Sequence, residues 1–252
     1  MKAAVKQSGL TLIEMTVVIA IAAILVAFGL PAIRVLFKSF ESASGTKAMI
    51  DAALSSARAI AAKEQHYAGL RFQNKYQPDG KGCQYMIFVM HDTEIANSVQ
   101  GNLGCRAVEG LEPIKLPDSI GVMEVVSSDN EIDTDEKVTD KTTFTILFSP
   151  SGKLIVHSLW VRNRDNVPGN SSADDIFNTE QNVTKGIGMF LQDVSGSVDL
   201  PIEESRNSFV IYDRNQFKSV EAVDRNHIYN NYLVNLEVVH INPYTGTMIN
   251  RQ

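Results

Sequence analysis

The amino-acid sequence predicts an α+β protein in which one long N-terminal α-helix precedes an antiparallel β domain. Residues 15–33 contain no charged side chain, and this run approaches the ~20 apolar residues that a helix needs to cross a bilayer. Beyond residue 65 the pattern changes to short runs rich in Val, Ile, Phe, Thr and Tyr, which are bounded by Gly, Pro, Asn and Asp. Such runs are typical of β-strands. A helix followed by strands, rather than alternating with them, indicates the α+β class.

The helical pattern continues past the uncharged run. Charged residues mostly lie off a stripe of apolar residues that recur at three- and four-residue steps, as on the buried face of an amphipathic helix. The stripe consists of Ile33, Leu36, Phe37, Phe40, Ala43, Ile50, Leu54, Ala57 and Ile60. We therefore expect one helix over residues 12–65, with a membrane and assembly segment at 10–33 and an amphipathic continuation at 34–65. Pro31 favours a kink in it, and Gly45 weakens it between residues 42 and 46.

The β domain is expected to occupy residues 66–252. Its predicted strands cover residues 67–72, 83–90, 120–126, 142–148, 154–161, 209–212, 233–240 and 247–249. Ser149-Pro150-Ser151-Gly152 predicts the turn of a hairpin over residues 142–161. Residues 163–182 are polar and are expected to form an exposed loop. A helix is expected within residues 216–232.

One acidic residue, Glu14, stands at the start of the uncharged run, behind a short leader that contains Lys2 and Lys6. A charge in or near the hydrocarbon costs about 2.5–3.5 kcal/mol on insertion scales, and it usually has a partner. The alternative interpretation is a secretory signal peptide, cut after a small residue such as Ala20 or Ala22. That alternative gives Glu14 no role, so the acid favours a helix that works within an assembly.

The residues around this acid carry a family resemblance. Gly9-Leu10-Thr11-Leu12-Ile13-Glu14 resembles the processing site of type IV pilins and of the pseudopilins of type II secretion, which is commonly Gly-Phe-Thr-Leu-Ile-Glu. The resemblance implies that residues 1–9 are a leader, removed by a prepilin peptidase that cuts between Gly9 and Leu10. The new amino group of Leu10 would then be N-methylated. Leu10 stands where Phe is usual, but both side chains are bulky and apolar.

Processing would create a counter-charge for Glu14. Once the leader is removed, the methylated amine of Leu10 is the nearest cation in sequence, and it stays positively charged. The i, i+4 spacing of the two residues permits a pair within one helix. A pair with the neighbouring subunit is the alternative, and it would set the axial register of packed helices. We favour the pair between subunits as the hypothesis for how Glu14 functions in assembly.

A long helix followed by an antiparallel β domain is also the pilin architecture, and the turns at residues 149–152 and 243–246 are similar to those of H-type minor pseudopilins (the GspH/FimT-like group). The resemblance implies a structural, minor subunit of a type IV pilus or a type II secretion pseudopilus. Its partners would be other pilin or pseudopilin subunits and an inner-membrane assembly platform. It would cross the inner membrane once, with its globular domain in the periplasm or on an extracellular filament.

The sequence is compared with two other functions. The first is a binding module on the same anchor, for DNA uptake or surface adhesion. The net charge of −6 and the isoelectric point near 5.4 argue against nucleic acid, because phosphate neutralisation dominates such binding. The second is an anchored enzyme, but the sequence contains no nucleophile elbow, phosphate-binding loop or dinucleotide fingerprint. We therefore expect no catalytic residues and no cofactor.

The remaining candidate site residues are cysteines, acids and histidines. Cys83 and Cys105 either form a disulfide outside the cytoplasm, worth ~3 kcal/mol, or remain free thiols. The acidic run at residues 129–136 partly resembles a calcium loop, but Thr134 stands where that loop needs glycine and no Glu occupies its last ligand position. We interpret the run as a solvated loop. The five histidines are scattered without zinc-ligand spacing, so no metal site is expected.

Overall fold

The structure is a computed structural model that describes residues 13, 15–21, 43–78, 82–93, 103–125, 135–164, 173–193, 203–220 and 232–250. Its elements, in chain order, are α1 (Ala43–Glu64), β1 (Ala68–Asn74), β2 (Gln84–His91), β3 (Leu103–Ala107), β4 (Ile114–Lys115), β5 (Ile120–Glu124), α2 (Asp135–Thr142), β6 (Phe144–Phe148), β7 (Leu154–Ile155), β8 (Ser158–Val161), β9 (Phe177–Asn178), α3 (Glu180–Thr184), β10 (Phe190–Leu191), β11 (Glu203–Glu204), β12 (Ser208–Asp213), α4 (Arg214–Val220), a 3-10 helix (Leu233–Asn235), β13 (Val238–Ile241) and β14 (Met248–Asn250). Helices and mainly antiparallel sheets make this an α+β fold, as predicted.

The predicted long helix is described in two parts. Residues 15–21 are helical, and α1 covers Ala43–Glu64. Residues 22–42, which would join them, lie outside the described residues. Among the helices that the structure describes, none combines the length and the apolar character needed to cross a membrane.

The larger sheet has eight strands in the order β11-β8-β3-β2-β1-β6-β7, with β4 also paired to β2. Its described pairings are antiparallel except that between β3 and β8. α1 covers one face, where Ile50, Leu54 and Ala57 are fully buried with Leu70 and Phe72. Burial of each large apolar side chain stabilises the fold by about 1.5–3 kcal/mol. The apolar stripe predicted for α1 is thereby confirmed over its described residues.

The other face of the larger sheet is covered by residues 176–190. Phe177 and Phe190 pack there against Val89, Leu159 and Val161, and all five are fully buried. Because both faces of the sheet are buried, β2 and β6 have nearly continuous apolar sequences rather than alternating ones.

A second sheet, in the order β14-β13-β12-β5, is joined to the first by the side chain of Gln84. Its Nε2 donates to the carbonyls of Val122 at 2.7 Å and Thr142 at 2.8 Å, and its Oε1 accepts from the Val122 N–H at 2.8 Å. The amide of Gln84 therefore completes the hydrogen bonds of β5 in the manner of a neighbouring strand. Gln84 is only 2% exposed, so water cannot replace it there.

The hairpin predicted over residues 142–161 is confirmed in part, since β6 and β7 pair antiparallel through the turn at residues 149–152. The single strand predicted at 154–161 was wrong. It is divided in two, because β7 pairs with β6 while β8 crosses to the opposite edge and pairs with β3. The strand predicted at 233–240 was too long, since it begins with a 3-10 helix and only β13 is extended. A helix within 216–232 was correct in part, because α4 begins two residues earlier.

The exposed loop predicted at residues 163–182 was also wrong over its described part, which contains β9 and α3. Three of its polar residues, Asp174, Asn178 and Asn182, are buried because they form internal hydrogen bonds. The Asp174 carboxylate accepts from the backbone N–H groups of Arg164 at 2.6 Å and Ile176 at 2.9 Å. Asn178 donates to the Asp174 carbonyl at 3.0 Å and accepts from Asn182 at 2.9 Å. Polarity in this segment therefore reflects internal hydrogen bonding rather than exposure.

Candidate functional site

The residues predicted for processing and assembly, Gly9, Leu10 and Glu14, lie outside the described residues. The helical segment that follows them is described, and its apolar side chains are exposed. Ile13 is 75% exposed, Val18 57% and Ile19 63%, and the other large apolar residues of 15–21 each exceed 50%. Contiguous apolar surface of this kind marks a contact with a membrane or another chain.

Farther along the chain, α1 is anchored to the β domain by polar residues that lie beside its buried stripe. Near its N-terminal end, Lys47 forms an ion pair with Glu237 at 2.9 Å, and Asp51 accepts the backbone N–H of Met248 at 3.2 Å. Met248 is the first residue of β14, the edge strand of the smaller sheet. Asp51 thus occupies part of the free edge of that sheet, in addition to fixing the helix.

Arg58 forms the most extensive of these contacts. Its Nε donates to the Gly152 carbonyl at 2.8 Å, and its Nη2 donates to the Tyr244 carbonyl at 3.1 Å. These two acceptors belong to the two turns that the sequence predicted. Both turns contain a glycine with positive φ, +73° at Gly152 and +70° at Gly246, and a Cβ at either would lie 3.1 Å from the Arg58 side chain. Glycine therefore serves both the turn geometry and the close approach of the guanidinium.

The spacing of these anchors explains how one helix holds the domain. Lys47, Asp51 and Arg58 follow one another at intervals of four and seven residues, which places them along one side of a helix. Ile50, Leu54 and Ala57 lie beside them and fill the core. The helix is consequently fixed to the larger sheet by packing and to the C-terminal strands and turns by hydrogen bonds.

Comparison with protein-family models matches residues 5–30 to the prokaryotic N-terminal methylation motif. The chain carries this motif. The methylation motif indicates a precursor of the type IV pilin or pseudopilin kind, in agreement with the resemblance of residues 9–14. Neither the curated proteins nor the solved structures gave a match to the chain. The matched segment is confined to the N-terminus, so assignment to the H-type minor pseudopilins stays a prediction.

The structure does not contain a Cys83–Cys105 disulfide, and both residues are free thiols. Cys105 pairs with His91 at one end of β2, whereas Cys83 precedes the opposite end. Eight residues of extended chain separate these ends by roughly 26 Å, far beyond the ~7 Å limit between bridged Cα atoms. Burial raises the pKa of the Cys105 thiol to about 12. Cys83 is half-buried and donates to the Asp118 carboxylate at 3.1 Å.

The acidic run at residues 129–136 is described only from Asp135, where α2 begins. The predicted solvated loop at 129–134 therefore lies outside the described residues. Within the parts of the chain that the structure describes, no three or more His, Cys, Asp or Glu side chains are grouped as a metal site.

A buried charged cluster on β1 was not predicted from the sequence. Arg71 is 1% exposed and points into the second face of the larger sheet. Its Nη1 lies 2.9 Å from Glu203 Oε2, its Nη2 lies 3.0 Å from Asp193 Oδ1, and its Nε donates to Gln73 Oε1 at 2.7 Å. Asp193 also accepts the backbone N–H of Val161 at 2.6 Å. The only signal for this cluster was a charged residue in the otherwise apolar strand predicted at 67–72.

Two carboxylates contact the guanidinium of Arg71, and their side chains are 33% exposed for Asp193 and 22% exposed for Glu203. The pKa of Glu203 is raised to about 7, chiefly by burial and also by the nearby charge of Asp193, while Arg71 opposes the rise. The pKa of Arg71 is raised, since the attraction of Asp193 and Glu203 outweighs its burial. Arg71 therefore stays charged.

Proposed function

We propose that this protein is a minor structural subunit of a type IV pilus or a type II secretion pseudopilus. The observation that carries the proposal is the N-terminal methylation motif at residues 5–30. The apolar helical segment at residues 15–21 supports it, because its exposed side chains need a bilayer or neighbouring helices around them. A subunit of this kind also needs a helix that is firmly attached to its globular domain. The contacts between α1 and the β domain provide that attachment.

The proposed life of the chain has three stages. The precursor is inserted once in the inner membrane through residues 10–33, with the leader, residues 1–9, in the cytoplasm. A prepilin peptidase then cuts between Gly9 and Leu10, and the amine of Leu10 is methylated. Finally the helix joins other subunits at an inner-membrane assembly platform, with Glu14 paired to a neighbouring amine. The β domain, residues 66–252, is then in the periplasm or on the filament.

No catalytic role is proposed for the chain itself, and no cofactor is needed for assembly. Its contribution is mechanical, since the apolar helix packs in the filament while the β domain is presented outside. The contacts of Arg58, Asp51 and Lys47 fix the position of that domain on the helix.

The decisive experiment is N-terminal mass analysis of the protein produced together with a prepilin peptidase. The expected mature chain begins with N-methyl-leucine at residue 10. A Gly9→Val variant, in which the residue before the cut is bulky, should retain Met1. A wild-type chain that still begins at Met1, or that is trimmed beyond Ala20, would show that the motif is not used and would remove the basis of the proposal.

A further inference from the structure

The side chain of Tyr244 is 70% exposed, more than any other large apolar or aromatic side chain that the structure describes in the β domain. Its backbone is nevertheless held on both sides. The Tyr244 N–H donates to Asn242 Oδ1 at 2.9 Å, and the Tyr244 carbonyl accepts from Arg58 Nη2 at 3.1 Å. The Pro243 carbonyl accepts the Leu154 N–H at 2.8 Å. A ring that lies outside the core on a fixed turn is available for binding.

The turn that carries Tyr244 lies against a second turn. Two hydrogen bonds from Arg58 hold the turns at residues 149–153 and 242–247 side by side. Lys153 of the first turn reaches the second, with its Nζ 5.8 Å from the centroid of the Tyr244 ring. We call the surface formed by these two turns and Arg58 the turn patch. It combines one exposed aromatic ring with two cationic side chains.

The turn patch is positively charged, although the chain carries a net charge of −6. Neither residues 141–164 nor residues 238–252 contain an Asp or a Glu. Among the residues that the structure describes, Arg58 and Lys153 form no ion pair. Asp51 contacts the same C-terminal hairpin, but it does so through a backbone N–H of β14. An exposed lysine and a half-buried arginine without carboxylate partners favour an anionic ligand.

The two turns also carry exposed hydroxyl groups. Ser149 Oγ and Ser151 Oγ lie 2.9 Å apart in the first turn. Thr245 Oγ1 and Thr247 Oγ1 lie 2.8 Å apart in the second. Each pair shares one hydroxyl hydrogen, so each pair retains a second hydrogen and further lone pairs. The turn patch therefore offers both donors and acceptors to a ligand that is rich in hydroxyl groups.

These features favour an acidic polysaccharide over other polyanions. Single-stranded nucleic acid needs a positively charged groove that follows its backbone, whereas the turn patch has two cations and one of them, Arg58, is held by carbonyl groups. The core of a protein interface is mainly apolar, whereas Tyr244 is accompanied by cations and hydroxyls. A uronic acid unit matches this set, because it has an apolar C–H face, a carboxylate and several hydroxyls.

From this arrangement we propose that the turn patch binds acidic polysaccharide. A uronate ring stacks on the face of Tyr244 that Lys153 leaves open, and its carboxylate pairs with the Lys153 ammonium. The serine and threonine hydroxyls bond to the sugar hydroxyls. One such contact is weak, and a polymer strengthens it by presenting many identical rings. This inference concerns the β domain and does not depend on assembly into a filament.

The test is equilibrium binding of the full chain, in micelles of a nonionic detergent, to polygalacturonate. Wild type should bind, and added salt should weaken binding because the Lys153 contact is exposed. Tyr244→Ala should weaken binding by about tenfold, whereas Tyr244→Phe keeps the ring and should retain it. Lys153→Gln should weaken binding by about fivefold at low salt and should reduce its salt dependence. These variants should melt as wild type does, because both side chains are exposed.

Lys75 and Tyr76 provide the matched control, because they are also a neighbouring lysine and tyrosine. The Tyr76 hydroxyl donates to the Glu180 carboxylate at 2.8 Å, so this pair lies beside an acid. Lys75→Gln and Tyr76→Ala should therefore leave binding to polygalacturonate unchanged.

Three other polymers decide the class of ligand. Neutral dextran has sugar rings without carboxylates, poly-glutamate has carboxylates without rings, and single-stranded DNA has phosphates and bases. All three should bind more weakly than polygalacturonate. The proposal fails if wild type does not bind polygalacturonate, or if any of the three polymers binds as tightly. It also fails if Tyr244→Ala binds as wild type does, or if Lys75→Gln weakens binding as much as Lys153→Gln.

Discussion

Replacement of Arg58 by methionine tests whether α1 is fixed to the β domain by directed hydrogen bonds. Methionine keeps much of the length and apolar stem of the side chain but removes both donors. The bond to Gly152 is part-buried and the bond to Tyr244 is exposed. A hydrogen bond from a charged group contributes about 1.5–3 kcal/mol when well protected. Since water can replace the second donor, we expect a total loss of about 2 kcal/mol.

That loss should lower the melting temperature by about 4–8 °C for a chain of this size. Thermal unfolding of the full chain in micelles can be followed by the fluorescence of Trp160, the single tryptophan of the protein. Lys63→Met is the matched control, because the Lys63 side chain is 82% exposed and pairs only with the adjacent Glu64. Arg58→Lys should fall between the two, since one ammonium cannot aim donors at both carbonyls. If Arg58→Met has the same melting temperature as the Lys63→Met control, α1 is not fixed by these hydrogen bonds.

Gln84→Leu should cost about 3–5 kcal/mol, because it leaves three buried backbone groups of Val122 and Thr142 unpaired. Chemical denaturation should show this loss, with the exposed Gln181→Leu as control. Alkylation of the native protein at pH 8 should modify Cys83 and spare the buried Cys105, and mass spectrometry of both peptides checks this. Reaction of both thiols at similar rates would contradict the burial of Cys105. Glu14→Ala should be cut normally but should enter filaments poorly, which immunoblotting of sheared filaments would reveal; unchanged incorporation would eliminate the proposed pair.

The elements that were predicted correctly are those whose signal is local. The stripe of Ile50, Leu54 and Ala57 follows from the period of a helix with one buried face, and the structure buries all three residues. The turns at residues 149–152 and 242–246 were visible because proline and glycine restrict the backbone there. The strands β2 and β6 were also found, since strands buried on both faces have dense apolar sequences.

The features that were missed depend on partners far away in the chain. The buried Arg71 is stabilised by residues 122 and 132 positions away, so no local pattern could indicate its partners. The division of residues 154–161 into β7 and β8 follows from their different partner strands, β6 and β3, which lie on opposite sides of the centre of the sheet. In residues 173–182, polar composition predicts exposure, whereas Asp174 and Asn178 are buried because they satisfy backbone groups.

The anchors on α1 are far in sequence from Glu14, so substitutions at these two places should impair different steps. Glu14 belongs to the N-terminal segment that is proposed to assemble, whereas Asp51 and Arg58 contact the edge strand and turns of the β domain. Loss of Glu14 should therefore impair joining between subunits while the domain remains as stable as before. Loss of Arg58 should destabilise the attachment of the domain while the peptidase still cuts after Gly9, because the processing site is far from that contact in sequence. If substitution of Glu14 and substitution of Arg58 impaired the same step, the helix would not have separate parts for assembly and for carrying the domain.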